Sequence, residues 1–294
     1  LKAKLTSLVL AAAMMMSLIG CEARETNSGN VQQSSSSKQK VVVVVVDKKT
    51  KAPVKDAKVY VVGNETAYIT DEMGKTKEIE VDLNKGYFER YSDEVKKIIR
   101  SGFLSIVVVK EGYGKHLEMD YCIYPGSSIS IVKAEISSGT KHTVNYNKPD
   151  VSYIENLVKS YEKYEGQGNN AGSMVKYKIA VKDQNNRPLE GVKIVIPEIM
   201  MSTKTDKKGL CEFEVPYDKT TNDNYPVKKE YGEITILAYK EGYAFSTVLG
   251  AHVKQGGKDN SAQIKMKQSK NFKVDYSLCE PDEEWINLLM NYYK

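Results

Sequence analysis

The chain is poor in the residues that build metal sites, disulfide frameworks and most active sites. It holds four cysteines, three histidines and one tryptophan in 294 residues. Beyond Cys21 the cysteines are Cys122, Cys211 and Cys279, an odd number without C-x-x-C spacing, which excludes a disulfide framework and a zinc site. His116, His142 and His252 are scattered, and neither H-E-x-x-H nor G-x-S-x-G occurs; His116 and His252, just after two K-E-G-Y strands, read as partly exposed strand residues. A formal net charge of +5, evenly mixed along the chain, gives no basis for a nucleic-acid partner. After the first twenty residues no apolar run is long enough to span a membrane.

The remaining short motifs do not supply catalysis. Ser130 and Lys133 fit S-x-x-K but lie in an expected strand, where positions three apart face opposite sides. Ser160 and Lys163 have helical spacing without the companion motifs such a nucleophile needs. Gly112-Tyr113-Gly114 lacks a third glycine and opens no helix. No enzyme activity, metal or cofactor is therefore expected. Cys211 alternates with Phe213 and Val215 and reads as a small buried hydrophobe; a bridge to Cys279 is compatible with an oxidising compartment.

The opening residues, LKAKLTSLVLAAAMMMSLIGC, place Lys2 and Lys4 ahead of an uncharged apolar run that ends in Gly20 and Cys21. Residues 1–20 are expected to be a secretory signal peptide. Leu18-Ile19-Gly20-Cys21 resembles the lipobox of bacterial lipoproteins. The resemblance implies cleavage before Cys21, attachment of diacylglycerol to its thiol, and a palmitate-type anchor on the extracytoplasmic face of a bacterial membrane. Residues 21–40, polar and carrying four consecutive serines, form the lipidated cysteine and a flexible tether.

The rest of the chain is written twice. VVVVVVDKKTKAPVKDAKVYVV (41–62) parallels YKIAVKDQNNRPLEGVKIVI (177–196), and T-D-E-M-G (70–74) parallels T-D-K-K-G (205–209). SIVVVKEGY (105–113) parallels TILAYKEGY (235–243), and VNYNKPD (144–150) parallels VDYSLCEPD (274–282). Four motifs in one order, roughly 130 residues apart, define a duplicated unit. The organisation expected is a first unit with its helix at 41–164, a linker at 165–174 and a second unit with its helix at 175–294. Each unit offers short alternating runs bounded by turn residues, the pattern of an antiparallel β-sandwich. The fold class is thus mainly β: two tandem antiparallel sandwiches, prealbumin-like or Ig-like, each followed by a short C-terminal α-helix.

The turn residues Asp47, Pro53, Ala57, Asp71, Gly74, Gly112 and Tyr113, repeated as Asp183, Pro188, Gly191, Asp206, Gly209, Gly242 and Tyr243, resemble the carboxypeptidase regulatory-like (transthyretin-like) domains. The resemblance implies the sandwich fold and no activity. Long connections at 82–102 and 216–232 depart from that family's compact form, and Ser92–Arg100 in the first reads as a helix. Collagen-adhesin B-type domains, another surface-sandwich family, join a lysine to an asparagine beside an acid. Lys178 or Lys182 with Asn260 would be that group here, but the first unit's opening strand is all valine and does not repeat it.

Both units end in a helix begun by Pro-Asp, where Asp150 or Asp282 suits the unpaired amides of the first turn. Tyr153, Ile154, Leu157 and Tyr161 form one apolar stripe, and Trp285, Ile286, Leu289 and Tyr293 the equivalent one. Each stripe is expected to pack on its own sandwich. Aromatic residues on the long connections, Tyr87, Phe88 and Tyr91 in the first unit and Tyr217, Tyr225 and Tyr231 in the second, are the candidate ligand contacts, suited to a glycan or an envelope protein. The function expected is a lipid-anchored, non-catalytic binding or adhesion protein. The alternatives are a structural spacer or assembly subunit that meets a protein partner through its aromatic helices, and an accessory to an enzyme of envelope polysaccharide.

Overall fold

The computed structural model describes residues 38–82, 102–123, 129–161, 172–220, 225–256 and 260–294. Cys21 and the tether up to residue 37, the helix expected at Ser92–Arg100, the aromatics Tyr87, Phe88 and Tyr91, and most of the expected linker lie outside the described residues.

The first repeat contains β1 (Lys38–Asp47), β2 (Lys58–Val61), β3 (Ala67–Ile69), β4 (Ile79–Asp82), β5 (Gly102–Val109), β6 (His116–Ile123), β7 (Ser130–Ile136), β8 (Thr143–Tyr146) and α1 (Val151–Ser160). The second contains β9 (Met174–Asp183), β10 (Lys193–Ile196), β11 (Met201–Lys204), β12 (Leu210–Pro216), β13 (Gly232–Tyr239), β14 (Phe245–Val253), β15 (Ser261–Met266), β16 (Val274–Leu278) and α2 (Glu283–Tyr292). Each repeat pairs a three-stranded sheet with a five-stranded one: β4-β1-β7 with β3-β2-β5-β6-β8, and β12-β9-β15 with β11-β10-β13-β14-β16. The protein is a tandem β-sandwich. Its pairing is antiparallel except at one edge of each sheet, where β1/β7, β6/β8, β9/β15 and β14/β16 run parallel.

Alternation decides which face of each strand is buried. Val41, Val43 and Val45 of β1 are fully buried and meet Val59, Ile106, Val108 and Ile136 between the first pair of sheets. Tyr177, Ile179 and Val181 of β9 do the same in the second, against Ile194, Ile236 and Met266.

The repeated motifs are turns with a physical purpose. The carboxylate of Asp47 accepts the amides of Lys49 and Thr50, and that of Asp183 accepts those of Asn185 and Arg187. In each T-D-x-x-G, the threonine hydroxyl ties two strands: Thr70 donates to the Val54 carbonyl and accepts from Ala57, as Thr205 does with Leu189 and Val192. The aspartate then closes the turn on the amides two and four residues ahead. Gly74 and Gly209 sit at φ +70° and +72°, where an added Cβ would stand 2.4 Å from the carbonyl oxygen of Val45 or Val181. Only glycine meets both demands.

Candidate functional site

The outer face of each five-stranded sheet is apolar, and each is covered by the helix of the other repeat. Helix α1 leaves the first sandwich and lays Ile154, Leu157, Val158 and Tyr161 on Val195, Leu237 and Phe245 of the second. Helix α2 leaves the second and lays Trp285, Ile286, Leu289, Met290 and Tyr293 on Tyr60, Val107, Leu117 and Met119 of the first. This corrects the expectation that each helix packs on its own sandwich. The stripe requires only an apolar sheet face, and the two faces are near-copies, so periodicity cannot choose between them. Burying each large apolar side chain contributes roughly 1.5–3 kcal/mol, which makes the exchange a main bond between the repeats.

Polar contacts fix both docked helices. The Tyr161 hydroxyl donates to the Pro197 carbonyl at 3.0 Å. The Tyr293 hydroxyl accepts the amide of Gly63 at 3.0 Å, its ring lies 4.9 Å from that of Tyr60, and the Tyr60 hydroxyl bonds the Lys294 carbonyl. Lys115 donates to the carbonyls of Met290 and Tyr293, closing the C-terminal end of α2 with a cation from the first repeat. At the N-termini neither Asp150 nor Asp282 caps through its side chain; their main-chain carbonyls accept the amides of Ile154 and Ile286.

Equivalent residues meet where the repeats face each other. Phe103, Met119 and Asp120 from one side and Glu233, Leu249 and Gly250 from the other line a cavity of about 50 Å³. Asp120 and Gly250 both have positive φ, at bulges in the β5/β6 and β13/β14 pairings.

The described loop aromatics are drawn into this assembly. Tyr217 is half-buried against the second core, and its hydroxyl reaches the Glu230 carbonyl at 3.4 Å. Tyr225 stands edge-on to Trp285 with ring centroids 5.2 Å apart. Tyr231 is 5 % exposed, stacks on His252 at 4.0 Å and accepts the amide of Asp282 at 3.1 Å; burial pushes its phenol up to about 12. Between the rings lies Lys229, its ammonium 4.1 Å from the Trp285 ring, 5.5 Å from Tyr225 and 5.8 Å from Tyr231, and 2.7 Å from the Glu233 carboxylate. The Trp285 indole donates to the Val227 carbonyl at 3.0 Å. Tyr225 and Tyr231 thus form a cage around the chain's own lysine, and in Tyr231 burial leaves no ring face for a glycan. The sequence signal that was missed is the spacing of Tyr225, Lys229, Tyr231 and Glu233 in one irregular stretch.

Inside the first sandwich lies a polar cluster. The His116 ring is 2.7 Å from the Thr143 hydroxyl through Nδ1 and 2.8 Å from Glu118 Oε1 through Nε2. Glu118 Oε2 accepts the side-chain amides of Asn145 at 2.7 Å and Asn147 at 3.0 Å. Hydroxyl, imidazole and carboxylate follow the order used in nucleophilic catalysis. His116 and Glu118 are only 4 % and 3 % exposed, however, and the groups serve to join β6 to β8. His116 is therefore buried, not a partly exposed strand residue. Matching polar alternation, H-x-E on one strand and T-x-N-x-N on the other, was its sequence signature.

Other candidates separate in space. Lys178 and Lys182 point outward from β9, while the buried Asn260 side chain bonds the main chain of Lys254, so no isopeptide constellation forms among them. Cys211 and Cys279 border the same core but are not bridged; burial raises the Cys211 thiol to about 12 and also raises Cys279. Among the described residues no group of three or more His, Cys, Asp or Glu is placed to hold a metal, and no helix is long and apolar enough to cross a membrane.

No family model matches the chain, and no curated protein matches it. Among solved structures it is similar to the Bacillus anthracis TIE protein, at 14% identity over 79% of this chain and 34% of that one, with a TM-score of 0.24. It is also similar to a streptococcal ancillary pilin, at 12% identity over 81% and 65%, TM-score 0.21. A minor pilin of Streptococcus agalactiae is similar at 11% identity over 81% and 99%, TM-score 0.23. The chain spans about a third of the length of the Bacillus protein and about two thirds of the streptococcal pilin. At these values the likenesses carry no functional argument.

Proposed function

We propose that this chain is a lipid-anchored, extracytoplasmic protein of a bacterial cell envelope, without catalytic activity, that presents two interlocked sandwiches to a glycan or an envelope protein. The reciprocal helix exchange carries this reading. Two sandwiches that complete each other's outer faces are joined through buried apolar contacts, which suits a part that must hold a surface away from a membrane. The anchor rests on Leu18-Ile19-Gly20-Cys21 and the serine-rich tether. The non-catalytic reading draws on the enclosure of His116 and Glu118 within the first core, which keeps that group from a substrate.

The assembly-subunit reading survives in altered form. Its proposed contacts, the aromatic helix stripes, are covered: Trp285 is 5 % exposed, and Tyr161 and Tyr293 less. A protein partner would meet the sheet edges instead, at β7, β8, β15 and β16, the last strands of their sheets among the described residues.

Labelling cells with radioactive palmitate tests the anchor: the wild-type chain should incorporate label and Cys21→Ala should not. Equal labelling would remove the lipoprotein reading. Residues 22–294 on a column exposed to envelope polysaccharide and membrane extract test the binding role. Retention of glycan supports the first form and one stoichiometric protein the second, whereas turnover of a wall fragment would overturn both.

A further inference from the structure

A row of residues crosses the end of each five-stranded sheet, and the two rows differ. In the first repeat strand register places Ile69, Lys58 and Val109 side by side, with Lys115 next to them just before β6. Both lysines are turned to the end of α2: Lys58 donates to the Lys294 carbonyl at 3.2 Å and Lys115 to those of Met290 and Tyr293. In the second repeat the row is Lys204, Lys193, Tyr239 and Phe245, so an aromatic ring takes the place of Lys115. The rings of Tyr239 and Phe245 stack at 4.6 Å, and Phe272, 46 % exposed, stands edge-on to Phe245 at 4.7 Å. Beside this row opens a groove of about 680 Å³, within the size range of ligand sites, lined by Lys193, Lys204, Tyr239, Lys240, Glu241 and Gly242.

Charges that are mixed along the sequence gather here in the fold. The loop after β15 reads KQSKNFK (267–273), against SSGTKHT (137–143) in the first repeat. It lies along the end of the groove: Ser269 donates its amide to the Gly242 carbonyl at 3.0 Å, and Phe245 donates to that of Lys273 at 2.8 Å. Groove and loop together hold six lysines, Lys193, Lys204, Lys240, Lys267, Lys270 and Lys273, against three carboxylates among the described residues, Glu190, Glu241 and Asp275. Lys267 and Lys273 share Asp275, each at 3.6 Å, and Lys240 donates to a neutral group, the Glu190 carbonyl, at 2.7 Å. The balance is positive and attracts a polyanion. Cation and ring also alternate, Lys193 beside Tyr239 across the strands and Phe272 between Lys270 and Lys273 in the loop. That alternation fits a polymer whose units each carry a carboxylate and an apolar ring face.

We infer, on the glycan reading proposed above, that this band of the second repeat binds an acidic glycan, with lysines on its carboxylates and Phe272 and Tyr239 against its sugar rings. The first repeat has no counterpart, because the cations of its row are committed to α2.

Calorimetric titration of the full chain, held in neutral detergent, with oligogalacturonate tests this against two ligands that each lack half of the chemistry, a neutral galacto-oligosaccharide and hexaglutamate. Oligogalacturonate should bind saturably, about tenfold more tightly than either, and weaken about tenfold as salt rises from about 0.05 to 0.5 M. Phe272→Ala should weaken oligogalacturonate about fivefold and leave hexaglutamate unchanged, whereas Lys270→Glu, Lys273→Glu and, in the groove, Lys240→Gln should weaken both. Phe272, Lys270 and Lys273 are exposed, so their variants should melt as wild type does. Equal binding of hexaglutamate would make the band a surface for acidic protein and overturn the assignment, as would unchanged affinity for oligogalacturonate in the folded lysine variants. A chain that retains neutral envelope glycan but ignores oligogalacturonate would lose this site and keep the proposed function; one that binds no glycan of either kind would lose this site and the glycan reading together.

Discussion

The ammonium of Lys115, in the first repeat, donates to the main-chain carbonyl of Met290, in the last helix of the second, at 2.7 Å. Lys115 directly precedes β6, so the strand that forms the floor for α2 also supplies the cation that closes the helix. Docking and capping come from the same foreign sandwich. Trp285 is the largest side chain in that dock. Trp285→Ala should destabilise the first sandwich by about 3–5 kcal/mol, although residue 285 belongs to the second repeat. Hydrogen exchange would detect it as faster exchange in β2, β5 and β6, and the wild-type indole should emit at a blue-shifted wavelength. Loss of protection confined to the second sandwich would contradict the exchange.

The same exchange governs what happens when the chain is divided. Residues 38–161 keep the outer face of β5 and β6 but lose α2, and residues 172–294 keep the outer face of β13 and β14 but lose α1. Either fragment alone would expose an apolar sheet face and an apolar helix stripe. Mixed in equal amounts, they should form a one-to-one complex that unfolds cooperatively, measurable by light scattering after gel filtration and by thermal melts. Two monomeric fragments that each melt cooperatively alone would show that the helices are dispensable.

Much of this architecture was legible in the sequence because its determinants are local. Asp47 and Asp183 close turns with their own neighbours, and Gly74 and Gly209 are required by a backbone only a strand away. The duplication followed from such residues. What the sequence withheld was the destination of each helix. Ile154 and Ile286 occupy equivalent places on equal stripes, and Leu237 and Val107 are equivalent receivers, so both the own-sandwich and the exchanged arrangement bury the same chemistry. The burial of Tyr231 was not legible for a related reason. An exposed ring and a ring folded over Lys229 have the same local sequence, and only the arrival of Trp285 from α2 distinguishes them.

Acid should weaken the first sandwich at one surface network. Lys133 and then Lys51, each 2.7 Å from Glu135, hold its carboxyl down to about 2 from an ordinary 4.5. Because the folded value is depressed, the stabilisation is complete above the unfolded value of 4.5 and is lost as pH falls towards 2. Both lysines are more than half exposed, so screening limits the contribution to less than about 1 kcal/mol. Stability measured in urea from pH 6 to pH 2 should fall more steeply for wild type than for Glu135→Gln. Identical pH profiles would show that the network contributes nothing.

Lys229 and Trp285 should be energetically coupled, since each completes the other's environment. The ammonium lies 4.1 Å from the indole ring, and its charge is matched by Glu233 at 2.7 Å, with the lysine side chain only 8 % exposed. Lys229→Met keeps the length of the stem but removes the cation, leaving the Glu233 carboxylate, 16 % exposed, without this counter-charge. A loss of about 1–3 kcal/mol is expected, combining the cation–π attraction with the cost of removing this ammonium from a partly buried carboxylate. In Trp285→Ala the cation has already lost its best ring, so adding Lys229→Met should cost less than it does in wild type. A double-mutant cycle read from urea melts should therefore give a coupling of about 0.5–2 kcal/mol. Strict additivity would mean that Lys229 serves only Glu233, and that the ring cage does not fasten the second repeat's loop to the helix lying on the first.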